Sequence, residues 1–243
     1  TDSEFRKWTK KLEDKLLENS EFKILWEQFN EKNITDTNTF AAENKATRVA
    51  GSEILKDIGK SNKFILGGSA DLAASTKQII SDTVYSSETK NGQALEYGVR
   101  EHAMAAITNG ITLHSSLLGF GSTFLVFSDY MRPSIRLAAL MELNSVFIFT
   151  HDSIYLGEDG PTHQPIEHLM SLRLIPGVDV IRPSNSKEIL HSYHYIFSKT
   201  NNPKVLILTR QNIDYLETNT SYKDFERGYY ELASGTDATI FAS

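Results

Sequence analysis

Short runs of consecutive apolar residues recur along the chain, and polar residues follow each of them. These runs occupy residues 63–66, 146–150, 178–181 and 205–208. A strand that is buried on both faces of a parallel sheet is apolar throughout, whereas a half-exposed strand alternates. The pattern therefore predicts four strands of a parallel sheet.

Segments with helical spacing of apolar residues lie between and before these runs. They cover residues 3–18, 46–58, 100–113 and 186–198, and residues 122–141 are predicted to form one or two further helices. Strands that alternate with helices indicate an α/β fold, a parallel sheet covered by helices on both faces. Ligands bind such sheets beside the carboxyl ends of the strands. We therefore expect the functional residues in the polar runs that follow the strands.

The chain divides into three parts on this pattern. Residues 1–45 are interpreted as a linker with an amphipathic helix, and residues 46–222 as the main α/β domain. Residues 226–243 are interpreted as the truncated start of another domain, because residues 228–232 and 238–243 each resemble a strand. We interpret the chain as a fragment of a longer protein, since it stops within the second of these predicted strands.

Composition excludes several classes of function. The 243 residues are 40% hydrophobic and 23% charged, which is typical of a globular protein. A net charge of −6 argues against nucleic acid or an anionic membrane as the main partner. The absence of cysteine excludes thiol nucleophiles and disulfides, and no apolar run reaches the ~18 residues of a membrane-spanning helix. A cytoplasmic enzyme is the expectation.

Two features of the sequence are candidates for chemistry. Glu101 lies in a polar run at the predicted start of a helix, about twenty residues before an aromatic stripe of Phe124, Phe127 and Tyr130. A carboxyl group beside aromatic rings can bind an aminopyrimidine. A glutamate in a first helical turn also complements the helix dipole, and aromatic residues three apart also fill a core.

The run from Thr150 to Pro165 adds two histidines and three acids around paired glycines. Its histidines, His151 and His163, are twelve residues apart, which does not fit the helical spacing of a zinc site. Its acids lack the alternation of an EF-hand calcium loop. A loop that holds polar groups at the end of a strand is the better interpretation.

Six motifs occur in an order and spacing that resemble those of the transketolases. They are Gly-Gly-Ser-Ala-Asp at 67–71, Gly-Val-Arg-Glu-His-Ala-Met at 98–104, Ser-Thr-Phe-x-x-Phe at 122–127, Thr-His-Asp-Ser-Ile at 150–154, Gly-Glu-Asp-Gly-Pro-Thr-His-Gln-Pro at 157–165 and Arg-Gln-Asn at 210–212. The resemblance covers roughly residues 45–243. It implies that residues 46–222 form the pyrimidine-binding domain of the thiamine-diphosphate-binding fold, followed by the start of the C-terminal domain.

The resemblance implies roles for individual residues. Glu101 matches the catalytic glutamate that hydrogen-bonds N1′ of the aminopyrimidine, and the cofactor-binding set is completed by Phe124, Phe127, Tyr130 and Asp71. The substrate-binding residues implied are Arg48, Ser75, His151, Asp159, His163 and Arg210, and His163 is also expected to be catalytic. Asp71 can also be interpreted as a turn or helix cap, and Arg48 as an exposed helix charge.

The implied activity is transfer of a two-carbon ketol unit from a ketose phosphate to an aldose phosphate, through a thiamine diphosphate ylide, in the pentose phosphate pathway. The implied cofactors are thiamine diphosphate and Mg²⁺ or Ca²⁺, whose ligands belong to an N-terminal domain, so no metal ligand is expected in this chain. The family's active site is shared between the subunits of a homodimer, so the isolated fragment is expected to be inactive.

Two alternatives stay open at this point. Another thiamine-diphosphate enzyme, such as dihydroxyacetone synthase, shares most of these motifs, and the chain could also be a non-catalytic dimerisation fragment. Two positions depart from the family. Tyr155 replaces a glycine, and Ala73-Ala74-Ser75 replaces a turn that usually contains proline.

Overall fold

The computed structural model describes residues 2–31, 34, 43–114, 116–198, 200–217 and 221–240. Its strands are β1 Ile65–Ser69, β2 Ala94–Glu96, β3 Leu118–Phe124, β4 Val146–Thr150, β5 Asp179–Ile181 and β6 Lys204–Ile207. Its helices are α1 Asp2–Glu18, α2 Ser20–Glu31, α3 Thr47–Ser61, α4 Ala73–Thr76, α5 Glu101–His114, α6 Ser128–Leu140, α7 His168–Arg173, α8 Ser186–Ile196 and α9 Tyr222–Glu226. Short 3₁₀ turns lie at Leu125–Phe127 and Ile154–Leu156.

The six described strands form one sheet in the order β2-β1-β3-β4-β6-β5. Every neighbouring pair runs parallel. Helical crossovers connect parallel strands, so the helix after each strand begins at the carboxyl edge of the sheet. All the carboxyl ends of the strands therefore meet along one edge.

Both faces of the sheet are buried, as the apolar runs predict. In β4, Val146 and Ile148 belong to one core cluster, whereas Phe147 and Phe149 belong to the other. Helices α3 and α8 cover the first face, and α5, α6 and α7 cover the second. The prediction of a parallel sheet with helices on both faces is confirmed.

Two strands of the sheet were not predicted. Strand β3 begins at Leu118, before the segment predicted to be helical at 122–141, and its last three residues lie inside that segment, whose helix α6 begins only at Ser128. Gly119, Gly121 and the hydroxyl residues after them conceal this strand, because they break the apolar run that marks the other strands. Strand β2 has only three residues and is partly exposed.

The predicted strands near the C-terminus are wrong for the part of the chain that the structure describes. Residues 227–240 contain no strand, and Tyr229, Leu232 and Ile240 are exposed. These residues pair with neither edge strand of the sheet, β2 or β5. The end of the second predicted strand, at 241–243, lies outside the described residues.

At the N-terminus, α1 matches the helix predicted at residues 3–18, and α2 is a second helix in the segment interpreted as a linker. Neither helix has a fully buried residue, but Phe29 of α2 and Ile34 pack against the face covered by α3 and α8. Within the described ranges, no helix combines the length and the apolar character that crossing a lipid bilayer requires.

Candidate active site

The residues singled out from the sequence follow different strands and meet at the carboxyl edge of the sheet. Asp71 follows β1, Glu101 follows β2, Phe124 ends β3, His151 follows β4 and Arg210 follows β6. This edge is where open α/β sheets bind ligands. The structure therefore brings together residues that lie far apart in the sequence.

Close packing of α5 against β3 fixes the position of Glu101 along the strand direction of the sheet. A Cβ on Gly119 would lie 2.8 Å from the Thr108 carbonyl oxygen, and a Cβ on Gly121 would lie 2.8 Å from Cγ of Met104. One helical turn toward the N-terminus of α5 thus corresponds to two residues toward the end of β3. One further turn reaches Glu101, which begins the helix at the carboxyl edge and is partly exposed.

The three aromatic residues form a continuous row of rings. The rings of Phe124 and Phe127 are stacked, 5.9 Å apart with 11° between their planes, and Tyr130 lies 6.1 Å beyond Phe127. A further ring inserted between two parallel rings needs about 7 Å, two stacking distances of ~3.5 Å. No ligand ring therefore fits between Phe124 and Phe127. Phe127 is half-buried and Tyr130 is 63% exposed, so the outer, exposed parts of these two rings are accessible to a ligand.

His151 joins this aromatic row to the polar part of the site. Its imidazole lies over the ring of Phe124, with 3.7 Å between the centroids, and its Nδ1 lies 2.9 Å from the Thr150 hydroxyl. Its backbone is left-handed, with φ 59°, a conformation that costs energy for a residue with a side chain. Burial, and then the positive charges of Arg48 and Arg210, lowers the pKa of His151 to about 3.

Two arginines lie side by side because a reciprocal pair of threonines joins α3 to the end of β6. The Thr47 amide donates to Oγ1 of Thr209 at 2.9 Å, and the Thr209 amide donates to Oγ1 of Thr47 at 2.6 Å. Arg48 and Arg210 are the residues that follow each threonine. Burial, and then the charge of Arg210, lowers the pKa of Arg48. Two like charges held together in this way are a suitable site for a dianion.

Ser75 and Asp71 lie on the turn after β1. Arg48 donates from Nη1 to the backbone oxygen of Ser75, so the turn and the arginine are in direct contact. Asp71 is exposed and left-handed, with φ 61°. The Ser69 hydroxyl accepts from the Leu72 amide at 3.1 Å and closes this turn.

The loop after β4 returns His163 to the aromatic row. The imidazole of His163 meets the ring of Phe127 edge to face at 5.4 Å, and its Nδ1 lies 2.8 Å from the Thr162 hydroxyl. A Cβ on Gly157 would lie 3.9 Å from the guanidinium of Arg210, so the loop also reaches the arginine pair. Asp159 is exposed on this loop.

Two departures from the family pattern are accommodated. Tyr155 has an ordinary φ of −81° and is 73% exposed, so its side chain is turned to solvent. The Ala73–Thr76 segment forms a single helical turn without proline.

The sequence reasoning missed the contacts that support the site. Asp152, whose side chain is fully buried, pairs with Arg182 at 2.6 Å and anchors the residue next to His151. The Thr47–Thr209 pair was missed as well. Thr47, Thr209 and Asp152 are each next to a site residue in the sequence, but nothing in the sequence identifies their distant partners.

Comparison with known proteins gives a consistent result. The sequence model of the family described as "Transketolase, pyrimidine binding domain" matches residues 43–214. A transketolase from Halalkalibacterium halodurans is 46% identical over 204 residues, which is 82% of this chain and 31% of that protein. A transketolase from Physarum polycephalum is 45% identical over 203 residues, again 82% of this chain and 31% of that protein.

Solved structures agree with the sequence comparison. Transketolase from Leishmania mexicana superposes with a TM-score of 0.87 at 33% identity, covering 97% of this chain and 36% of that chain. Transketolase from Pichia stipitis in complex with sedoheptulose 7-phosphate superposes with a TM-score of 0.87 at 34% identity, covering 96% of this chain and 36% of that chain. The chain thus spans about a third of the length of the relatives that it matches.

Proposed function

The chain belongs to the transketolase family, and we propose that it supplies the pyrimidine-binding half of a thiamine diphosphate site. The observation that carries this proposal is that Glu101, the aromatic row and the pair Arg48 and Arg210 all lie at the carboxyl edge of the sheet. An acid, aromatic faces and paired arginines suit an aminopyrimidine and a phosphate in neighbouring positions.

For the whole protein we propose the transfer of a two-carbon ketol unit between sugar phosphates. Bound thiamine diphosphate supplies the electron sink that this chemistry needs. The site would be shared between two identical subunits, and Mg²⁺ or Ca²⁺ would be held outside this chain. Large exposed apolar residues near the site, Val99, Tyr130 and Ile166, support coverage by a partner.

Glu101 would orient the pyrimidine. Its carboxylate stands at the N-terminus of α5, where it can accept a hydrogen bond from a protonated ring nitrogen. The outer faces of Phe127 and Tyr130 would hold the ring, each well-placed contact contributing about 0.5–1.5 kcal/mol beyond burial. Helix α5, which begins with Glu101, starts at the edge of the sheet where β3 ends with Phe124, so the acid and the aromatic residues suit the same ligand ring.

Arg48, Arg210 and His151 would hold the phosphate of the sugar. The two guanidinium groups supply the charge, and their forked donors match phosphate oxygens. Nδ1 of His151 is bonded to Thr150, so Nε2 is the nitrogen available to a ligand. Ser75 contacts Arg48, and His163 lies near His151; with Asp71 and Asp159, which lie on loops at the same edge of the sheet, they would contact the cofactor or the sugar hydroxyls.

The phosphate assignment is tested by comparing substrates with and without a phosphate. In the purified full-length enzyme, Arg48→Gln and Arg210→Gln are each expected to raise KM for a ketose phosphate about 10- to 100-fold, the loss of one charge-assisted hydrogen bond. The kcat and the kinetics of an unphosphorylated ketose should change little.

Two results would count against the proposal. An enzyme that transfers no ketol unit in the presence of thiamine diphosphate would overturn the activity. If the arginine variants raise KM equally for the phosphorylated and the unphosphorylated ketose, the two arginines do not bind the phosphate, although the proposed ketol transfer would still stand.

A further inference from the structure

A cluster of two acids and a histidine lies beside the aromatic row and has no part in the function proposed above. We name Asp129, Glu167 and His168 the acid–histidine cluster. Asp129 is in the first turn of α6, and Glu167 and His168 begin α7. One ligand atom from each residue lies within 4.8 Å of the other two.

The two carboxylates approach different nitrogens of His168. Oδ2 of Asp129 lies 3.1 Å from Nε2, which is a hydrogen bond. Oε2 of Glu167 lies 3.9 Å from Nδ1, which is too far for one. The side chain of His168 is only 6% exposed, and its Nδ1 makes no hydrogen bond within the described ranges.

A buried ring nitrogen without a partner is costly, so its position calls for an explanation. A protonated imidazole between two acids does not provide one, because Nδ1 would then donate to Glu167 and the separation would be near 2.8 Å. The hydrogen bond to Asp129 instead places the ring proton on Nε2. Nδ1 then carries the lone pair, 3.9 Å from Oε2 of Glu167.

A histidine that donates one ring N–H to a carboxylate, as His168 does to Asp129, is common in metal sites. A ligating histidine usually donates its other ring N–H to a carboxylate, which fixes its tautomer and orientation. Two ligand atoms about 2.0–2.2 Å from a tetrahedral Zn²⁺ ion lie about 3.3–3.6 Å apart. The 3.9 Å between Nδ1 and Oε2 is slightly longer, and a small rotation of the exposed Glu167 carboxylate would bring the two atoms to that separation.

We propose that the acid–histidine cluster binds one divalent transition-metal ion of the Zn²⁺ class. Nδ1 of His168 and the carboxylate of Glu167 are the protein ligands, Asp129 orients the histidine, and water completes the coordination. A mixed nitrogen and carboxylate donor set suits Zn²⁺ better than Mg²⁺ or Ca²⁺. Both ligands lie at the start of α7, and the hydrogen bond between His168 and Asp129 connects them to the first turn of α6.

The test is a Zn²⁺ titration of the chelator-treated chain, followed by calorimetry and by the ¹⁵N NMR signals of the histidine rings. We expect one ion per chain and a coordination shift at Nδ1 of His168. Glu167→Gln, an isosteric change at an exposed position, should weaken binding at least tenfold. Asp129→Asn should weaken it about 10- to 100-fold, as removal of an orienting carboxylate does.

Glu88→Gln is the matched control, since Glu88 is exposed in the loop between α4 and β2. It should bind zinc as the unaltered chain does. The proposal is overturned if zinc does not bind, if Glu167→Gln binds as tightly as the unaltered chain, or if the ring signals place the ion on another histidine. None of these results depends on ketol transfer, so the proposed function is tested separately.

Discussion

The imidazole of His151 stacks on the ring of Phe124, with 3.7 Å between centroids and 30° between planes. Phe124 in turn stacks on Phe127, so one row of rings connects the proposed phosphate site to the proposed pyrimidine site. A substitution of Phe124, in the middle of the row, should therefore affect both sites.

Phe124→Leu tests this connection. Leucine keeps the site apolar, so we expect a loss of about 1 kcal/mol in the free energy of unfolding. The ring face that covers His151 would be removed, and the pKa of His151 should rise toward its ordinary value as solvent reaches it. Denaturant unfolding and an NMR titration of the histidine signals measure the two effects. An unchanged His151 titration would show that Phe124 does not control the burial of the histidine.

The depressed pKa of His151 predicts a pH dependence of stability. The unfolded chain takes up this proton near pH 6.5, whereas the folded chain takes it up only near pH 3. Between these values the unfolded state binds more protons, so this residue's contribution to stability falls as the pH is lowered from about 6.5 toward 3. Unfolding curves of the chain and of His151→Gln, recorded at several pH values, isolate the contribution. A variant with the same slope as the unaltered chain would contradict it.

The same histidine should respond to an anion. Inorganic phosphate beside Arg48 and Arg210 would offset their charges, which help to lower the pKa of His151. Phosphate should therefore raise this pKa, whereas equal ionic strength from chloride should raise it less. An NMR titration in both salts makes the comparison, and identical curves would argue against an anion site at the arginine pair.

Two glycines beside α5 offer a matched pair of substitutions. Gly119→Ala places a methyl group against the backbone of Thr108, so we expect α5 to be displaced at a cost of about 1–3 kcal/mol. Gly110 lies in α5 itself, and a Cβ there meets nothing within 4 Å. Gly110→Ala should therefore stabilise the chain by about 0.5–1 kcal/mol. Thermal unfolding of both variants checks the opposite signs, and two equal shifts would refute the packing argument.

The sequence predicts the sheet better than it predicts the contacts that hold the site. Residues 146–150 are recognised as a central strand because four consecutive apolar residues precede Thr150, and all five positions are buried. Strand β3 is hidden because close contact with α5 requires glycine at positions 119 and 121. Residues 228–232 resemble a strand, with two tyrosines and a leucine, but a strand also needs a neighbour, which a local pattern does not reveal.

The location of the site follows from the rule that ligands bind at the carboxyl ends of parallel strands, so the polar runs there were informative. Its supporting pairs could not be predicted. Thr47 and Thr209 are 162 residues apart, and Asp152 and Arg182 are 30 apart. Such pairs depend on the order of strands in the sheet. The row formed by Phe124 and His151 likewise appears only once β3 and β4 are adjacent.

The central claim is that the carboxylate of Glu101 acts on the pyrimidine of thiamine diphosphate. The direct measurement is the rate at which the C2 proton of thiamine diphosphate exchanges when the cofactor saturates the full-length enzyme. The rate is compared for the unaltered protein, Glu101→Gln and the control Glu88→Gln. We predict that Glu101→Gln slows exchange about 10²- to 10⁴-fold, the usual contribution of a positioned proton-transfer group, while Glu88→Gln has no effect. An exchange rate in Glu101→Gln within twofold of the unaltered enzyme, about 0.4 kcal/mol, would contradict the account.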